Sequence, residues 1–157
     1  MSEPSASTRG LRSFDESLPM ALMRAREAVM RRFRPILAEH DLTEQQWRVL
    51  RALADADRPV TAGELAERTF LLGPSLSRML VALTDRGLVE RTTDRHDARR
   101  AVLRITRPGR RLVATIAPRS EMVYDEITNQ IGDDDLEQLY ALLQRTAALT
   151  EPAPEST

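Results

Sequence analysis

The chain has 157 residues, 41% of them hydrophobic and 30% charged, which is enough for one domain with its own hydrophobic core. The longest segment without a charged residue, 69–77, is too short to span a bilayer, and residues 1–13 lack the apolar core of a secretory signal. There is no cysteine, which excludes disulfides, thiol nucleophiles and thiolate metal sites, and the expected compartment is the cytoplasm.

The net charge of −1 conceals a strongly basic segment. Residues 86–111 contain nine arginines and three acidic residues, whereas residues 112–157 contain two basic and nine acidic residues. All 23 basic residues are arginine, whose planar guanidinium suits phosphate recognition. The basic segment therefore points to an anionic partner such as nucleic acid.

The first helix is predicted over about residues 17–39, after a disordered tail at 1–13; a second disordered tail is expected at 150–157. Ser17 is expected to cap this helix, and Pro19 is tolerated in its first turn. Apolar residues recur at helical spacing and predict one continuous stripe. The stripe consists of Leu18, Leu22, Ala25, Val29, Phe33, Ile36 and Leu37.

Two short helices are predicted next, each with a recognisable start. Thr43 is followed three residues later by Gln46, and Thr61 is followed three residues later by Glu64. Both pairs match the capping box, in which each side chain bonds the backbone N–H of the other residue. The helices are therefore expected to begin directly after Thr43 and Thr61.

A fourth helix is predicted between Gly73 and Gly87, with Pro74 in its first turn and Gly87 as its stop. Its apolar residues follow the i, i+3, i+4, i+7 spacing of a buried face. Those residues are Leu76, Met79, Leu80 and Leu83. The opposite face carries Pro74, Arg78 and Val81, flanked by Ser75 and Ser77.

A β-hairpin is predicted after Gly87, with strands at 88–93 and 101–105. Its loop, 94–100, has seven residues, of which Arg95, Arg99 and Arg100 are basic. A solvated loop is the alternative to a DNA contact, and the helices that precede the hairpin favour DNA. Asp97 is expected to orient Arg99 through a salt bridge rather than to touch DNA.

Two more helices are predicted between residues 107 and 149. Thr106 is expected to cap the first, and Pro118 is expected to interrupt and kink it. Gly132 separates it from the last helix. The inward face of that helix is expected to carry Leu136, Leu139, Tyr140 and Leu143.

The element order over residues 43–106 is typical of a winged helix-turn-helix, within a mainly α fold that has a small β-hairpin wing. A helix about 10 Å across fits the major groove of B-DNA, which is about 12 Å wide. An arginine-bearing hairpin suits the neighbouring minor groove. The predicted DNA contacts are Pro74, Ser75, Ser77, Arg78 and Val81 on the helix, and Arg95, Arg99 and Arg100 on the hairpin.

Over about residues 15–149 the sequence resembles the MarR-type (multiple-antibiotic-resistance) winged-helix regulators. The matching motifs are Leu42-Thr43-x-x-Gln46-Trp47, Ser75-Leu76-Ser77-Arg78, Gly87-Leu88-Val89, Asp97-x-Arg99-Arg100 and Leu103-x-Ile105-Thr106-x-x-Gly109. The resemblance implies a single domain at 14–149, with the winged helix-turn-helix at about 43–106 and dimerisation helices at about 15–39 and 107–149. It also implies a homodimer on a palindromic double-stranded DNA site.

A narrower similarity is to regulators of the homoprotocatechuate (hydroxyphenylacetate) degradation operon. The motifs that carry it are Arg26-Glu27-Ala28, Phe33-Arg34-Pro35-Ile36, His40, the segment from Leu42 to Arg48, and Pro74-Ser75-Leu76. This similarity implies a repressor of an aromatic-catabolic operon that is released from DNA by a phenolic or aryl carboxylic acid.

Four residues are candidate contacts for such a ligand, and each has a structural alternative. Ser17 fits a helix cap, Arg26 a surface arginine, His40 a helix end and Trp47 the core. As a ligand contact, the Arg26 guanidinium would bind a carboxylate at the junction of the first helix, the second helix and the partner subunit.

Other classes of function have less support in the sequence. An enzyme is not expected, because there is no cysteine, no glycine-rich phosphate loop and no GxSxG motif, and the two histidines are far apart. No metal, cofactor or membrane partner is expected. Two alternatives stay open: a winged-helix protein-interaction module without sequence-specific DNA binding, and a MarR-type regulator of unrelated stress or efflux genes.

Overall fold

This computed structural model describes residues 13–97 and 99–149, so the predicted tails lie outside the described residues, except for Ser13. The mainly α-helical fold with one antiparallel hairpin is confirmed. Across residues 13–97 and 99–149, no helix combines the length and apolarity needed to cross a bilayer. In chain order the elements are a 3-10 turn (Phe14–Glu16), α1 (Leu18–Ala38), α2 (Glu44–Ala54), α3 (Ala62–Thr69), α4 (Gly73–Asp85), β1 (Val89–Thr93), β2 (Ala101–Ile105), α5 (Arg107–Ile131) and α6 (Asp133–Ala147).

Both predicted capping boxes are present. The hydroxyl of Thr43 accepts a hydrogen bond from the Gln46 backbone N–H at 3.1 Å, and the Gln46 side-chain oxygen accepts one from the Thr43 N–H at 3.0 Å. The same exchange joins Thr61 and Glu64 at 3.2 and 2.7 Å. Because each box satisfies backbone donors at a helix start, it fixes where α2 and α3 begin.

The hairpin is attached to the helices through its second strand. β1 and β2 pair antiparallel, with Val89 opposite Ile105 and Thr93 opposite Ala101. Val60, which precedes α3, exchanges two backbone hydrogen bonds with Leu103 of β2, at 3.0 and 2.7 Å. The two-stranded wing is therefore anchored to the connection between α2 and α3.

The chain forms two compact units that divide between Ile116 and Ala117. The core of the first unit combines apolar side chains from α1 to β2 and the start of α5. Its most deeply buried members are Leu37, Val49, Leu50, Leu53, Leu65, Leu76, Leu83, Val89 and Ile116. The assignment of residues 14–149 to a single domain with separate DNA-binding and dimerisation parts stays a prediction.

Helix α1 buries only one end of its predicted stripe. Phe33, Ile36 and Leu37 are buried, whereas Leu18 and Leu22 are exposed to 56% and 36% in the single chain. Ser17 occupies the predicted N-cap position, but its hydroxyl donates to the Phe14 carbonyl and accepts no hydrogen bond from the helix. The preceding 3-10 turn places that carbonyl within 2.9 Å of the hydroxyl.

Two expectations for the C-terminal helices are corrected. Helix α5 continues through Pro118, so the predicted interruption is wrong; a proline removes a single backbone donor, and the rest of this 25-residue helix keeps its hydrogen bonds. In α6 three of the four predicted inward residues are exposed, Leu139 to 41%, Tyr140 to 53% and Leu143 to 38%, while Leu136 is half-buried. The apolar face that the periodicity predicts for α6 is therefore largely uncovered by the described residues of one copy of the chain.

Candidate nucleic-acid interface and ligand pocket

Helix α4 is held by one face and presents the other to solvent. Leu76, Leu80 and Leu83 are buried, as predicted, while Met79 is half-buried. After Asp85 the helix ends in a Schellman motif, in which the N–H of Leu88 donates to Leu83 at 2.9 Å and Gly87 has a φ of 68°. These contacts fix both the end of α4 and its rotation about its own axis.

The exposed face of α4 carries the predicted DNA contacts. Pro74, Ser77, Arg78 and Val81 are exposed, and Ser75 is half-buried. The N-cap position holds Leu72, whose side chain cannot accept a hydrogen bond from the first turn. The positive end of the helix dipole thus lies beside Ser75 without a capping side chain, which suits a phosphate oxygen.

The wing loop has a defined backbone. The N–H of Asp94 donates to the Arg100 carbonyl at 2.8 Å and closes the loop. The Asp94 carboxylate accepts hydrogen bonds from the N–H groups of His96 (2.7 Å) and Asp97 (3.3 Å). These bonds, that of His96 foremost, hold the pKa of Asp94 below its ordinary value, so the carboxylate stays ionised and keeps the turn ordered.

The predicted salt bridge between Asp97 and Arg99 is wrong. The Asp97 carboxylate accepts from the backbone N–H of Arg99 at 2.9 Å, two residues along the chain. The short side chain of an aspartate at a turn reaches the backbone N–H two residues along the chain more readily than it reaches the guanidinium of a long arginine side chain. The Arg99 side chain therefore stays available for another anion.

The arginines of the winged helix-turn-helix fall into two groups. Arg86 donates to the carbonyls of His40 and Asp41 at the end of α1, and Arg110 donates to the carbonyl of Ala54 at the end of α2. The second group is exposed and has no hydrogen-bonded or ion-pair partner within the described residues. It includes Arg78, Arg91, Arg95, Arg99, Arg100 and Arg104.

A groove of about 540 Å³ lies at the base of the wing and adds cations that sequence reasoning missed. Arg58 and Arg104 line it together with Arg95, His96 and the acidic Asp94, and Arg58 is paired with Glu64 at 2.7 Å. The alternation of β2 could have identified Arg104, which is exposed between the buried Leu103 and Ile105. Arg58 had no such signal, because its position depends on the pairing of Val60 with the wing.

A second cavity, of about 480 Å³, lies where α1 meets the start of α2. Glu44 accepts hydrogen bonds there from Arg26 at 2.6 Å and from Arg34 at 2.5 Å. Burial raises the pKa of Glu44, but the hydrogen bonds from Arg26 and Arg34 outweigh burial and leave the pKa below its ordinary value. The Arg26 guanidinium is thus already paired with a carboxylate of its own chain.

The structure does not gather the four predicted ligand residues around one cavity. Arg26 lines the cavity near Glu44, but Ser17, His40 and Trp47 do not. Trp47 is 7% exposed and lies under the Arg51 guanidinium, 5.8 Å from the ring centroid. His40 is half-buried at the end of α1, where its carbonyl accepts from Arg86.

Comparison with known proteins gives consistent results. Residues 40–100 match the model of the MarR family. The chain is 38% identical over 134 residues to the homoprotocatechuate degradative operon repressor of Escherichia coli, which covers 85% of this chain and 90% of that protein. The structure of the transcriptional regulator PA4135 matches with a TM-score of 0.81 at 35% identity, over 86% of this chain and 98% of that one. NadR in complex with 4-hydroxyphenylacetate matches with a TM-score of 0.76 at 35% identity, over 89% and 99%.

Proposed function

The chain belongs to the MarR family of winged-helix transcriptional regulators, and on that premise we propose that it is a homodimeric repressor of an aromatic-catabolic operon. A phenolic or aryl carboxylic acid would release it from its DNA. The observation that carries the proposal is the exposed polar face of α4 together with a wing whose arginines have no partner among the described residues. The E. coli relative, by its name, represses a degradative operon of this kind.

In the proposed complex, α4 enters the major groove and the wing lies along the adjacent minor groove. In this arrangement Arg78 would donate two hydrogen bonds to a guanine, and Val81 would contact a thymine methyl group. Arg95, Arg99 and Arg100 would contact phosphates or the minor groove, where the negative potential attracts guanidinium groups. Base preference would therefore depend mainly on α4, and general affinity mainly on the wing.

The proposed dimer is supported by apolar surface that one chain leaves uncovered. Leu18 and Leu22 on α1 are exposed, and α6 exposes a row of large apolar residues. That row consists of Leu139, Tyr140, Leu142 and Leu143. A second copy would bury such faces, and two-fold symmetry would place two α4 helices about 34 Å apart on a palindromic site.

For the effector, the chemistry at Glu44 favours a carboxylate. Arg26 and Arg34 already bind one carboxylate there, so an aryl acid could compete with Glu44 for the same donors. NadR, which is 35% identical, was solved with 4-hydroxyphenylacetate, a ligand of this class. An acid that binds one dimer arrangement more tightly would shift the population toward it and change the spacing of the α4 helices.

The proposal is tested by fluorescence-anisotropy titration of the promoter DNA beside this gene, with and without 4-hydroxyphenylacetate or 3,4-dihydroxyphenylacetate. We expect salt-dependent binding that either acid weakens. Binding that neither acid changes would leave a MarR-type regulator of other genes. Binding no stronger than to unrelated duplex would favour the protein-interaction alternative.

The role of Arg26 is tested separately with Arg26→Ala. We expect this variant to bind the promoter as the wild type does but to lose the response to the acid. Arg31→Ala is a matched control, because it makes the same substitution on the same helix at an exposed arginine that does not line the cavity. An unchanged acid response in Arg26→Ala would remove this residue from the effector site.

A further inference from the structure

Phe70 has an unusual backbone conformation for an aromatic residue. It follows α3 with φ 53° and ψ 39°, in the left-handed region. The N–H of Leu71 donates to the Ala66 carbonyl at 3.2 Å, and the N–H of Phe70 to that of Glu67 at 3.4 Å. This hydrogen-bond pattern ends many helices and usually places glycine in the left-handed position, because a Cβ atom is strained there.

The solvent exposure of the Phe70 side chain is also unfavourable in one copy of the chain. It is 91% exposed, more than any other large apolar residue among the described ones, so its ring gains nothing from burial. The residue before it is held firmly: Thr69 is buried, its hydroxyl donates to Leu65 at 2.6 Å and its carbonyl accepts from Arg48 at 2.9 Å. The ring is therefore presented to solvent from a fixed backbone.

The position of Phe70 identifies what the ring can meet. It lies three residues before α4 begins at Gly73, and Leu72, between them, is 79% exposed. Phe70 and Leu72 thus form an apolar extension of the N-terminal end of α4, where Ser75, Ser77 and Arg78 are predicted to meet DNA. DNA presents apolar surface in the major groove at the methyl groups of thymines.

We propose that Phe70, supported by Leu72, makes an apolar contact with the operator at a thymine methyl beside the bases that α4 recognises, and so helps determine sequence preference. The inference rests on the proposed function, since it requires operator binding by α4. It goes beyond that function by assigning base preference to a residue outside α4 and the wing. The strained backbone and the exposure of the ring to solvent are then unfavourable features of the free protein, and the contact with DNA compensates for them.

The test uses the full chain and a duplex selected by the wild-type protein from a random pool. Phe70→Gly removes the ring and relieves the backbone strain, whereas Phe70→Ala removes the ring and keeps the Cβ atom. Phe14→Ala is the matched control, because Phe14 is also a strongly exposed aromatic residue (72%). Affinity for the selected duplex, affinity for an unrelated duplex, melting temperature and oligomer mass are measured for each protein.

We expect both Phe70 variants to bind the selected duplex about tenfold more weakly and the unrelated duplex unchanged, with the oligomer mass unaffected. The melting temperature of Phe70→Gly should equal that of the wild type or exceed it by up to about 4 °C. It should also be higher than the melting temperature of Phe70→Ala. Replacing each thymine of the site by uracil, which removes only the methyl group, should weaken wild-type binding at one half-site position and leave Phe70→Gly unaffected at that position.

Three results would overturn the inference. Wild-type affinity in Phe70→Gly would show that the ring does not contact DNA. A large fall in the melting temperature of Phe70→Gly, or a changed oligomer mass, would give the ring a structural or subunit-contact role. If the wild type selected no duplex, the proposed function itself would fail. If only the Phe70 inference fails, the wild type still selects a duplex and Arg78→Ala still loses sequence preference, because the contact made by Arg78 does not depend on Phe70.

Discussion

Replacing Arg86 and Arg99 separately with alanine should change two different measurements, because only one of these side chains is bonded to the protein. Arg86 donates two hydrogen bonds, at 2.7 and 2.9 Å, to the carbonyls of Asp41 and His40 just after α1. Arg99 has an exposed side chain with no protein partner among residues 13–97 and 99–149. Both lie in the same basic segment of the sequence, so charge alone does not distinguish them.

The size of each effect follows from these contacts. A hydrogen bond from a charged donor contributes about 1.5–3 kcal/mol when it is shielded from water, and Arg86 is exposed, so losing its two bonds should destabilise the fold by about 1–2 kcal/mol in total. That corresponds to a melting temperature lower by about 3–6 °C. Arg99→Ala should change stability by less than about 0.5 kcal/mol. Its effect should appear in DNA binding, where each lost phosphate contact reduces the slope of log K against log salt by about 0.9.

The assay combines urea denaturation with anisotropy titrations on one duplex at four salt concentrations. We expect Arg86→Ala to lower the urea midpoint and to keep the wild-type salt slope when folded. Arg99→Ala should keep the urea midpoint and, with two wings in a dimer, lose about 1.8 of the salt slope. The reasoning is refuted if Arg99→Ala binds DNA as tightly as the wild type, or if Arg86→Ala has wild-type stability.

Three further predictions concern the fold. Glu64 accepts hydrogen bonds from Arg58 and from Thr61, which lower its pKa to about 2. The ionised carboxylate therefore contributes its full stabilisation above its ordinary pKa of 4.5 and loses it as the pH falls toward about 2. Urea denaturation should show the stability difference between the wild type and Glu64→Gln shrinking over that pH interval. Gly109→Ala should destabilise by about 1–3 kcal/mol, because its Cβ atom would lie 2.2 Å from the Leu88 carbonyl oxygen, and a melting temperature equal to that of the wild type would contradict this close approach. Leu83→Ala should cost about 2–5 kcal/mol, since Leu83 lies fully buried on the inner face of α4. Calorimetry that shows a loss below about 1 kcal/mol would mean that the site collapses around the smaller residue.

The sequence alone was sufficient wherever a feature depends on residues a few positions apart. The capping boxes at Thr43 and Thr61, the glycine stop at Gly87 and the two faces of α4 are all set by neighbours within about one helical turn or two. The hairpin was also predicted with nearly correct ends, because apolar alternation and a polar loop identify it locally. These local signals were enough to predict which residues would lie on the exposed face of α4 and on the wing.

Tertiary structure decided what depends on distant parts of the chain. Arg86 bonds residues 45 and 46 positions earlier, so no local pattern distinguished it from Arg99. The apolar periodicity of α6 predicted a buried face, but burial needs a second surface, and one chain leaves Leu139 and Tyr140 exposed. Arg26 was a candidate ligand contact with a surface arginine as the alternative, yet folding brings Glu44 against it, because α2 starts beside α1. The sequence shows which side chains can form hydrogen bonds, ion pairs or apolar contacts. Only the packing of distant segments determines which of these side chains have a partner within the same chain.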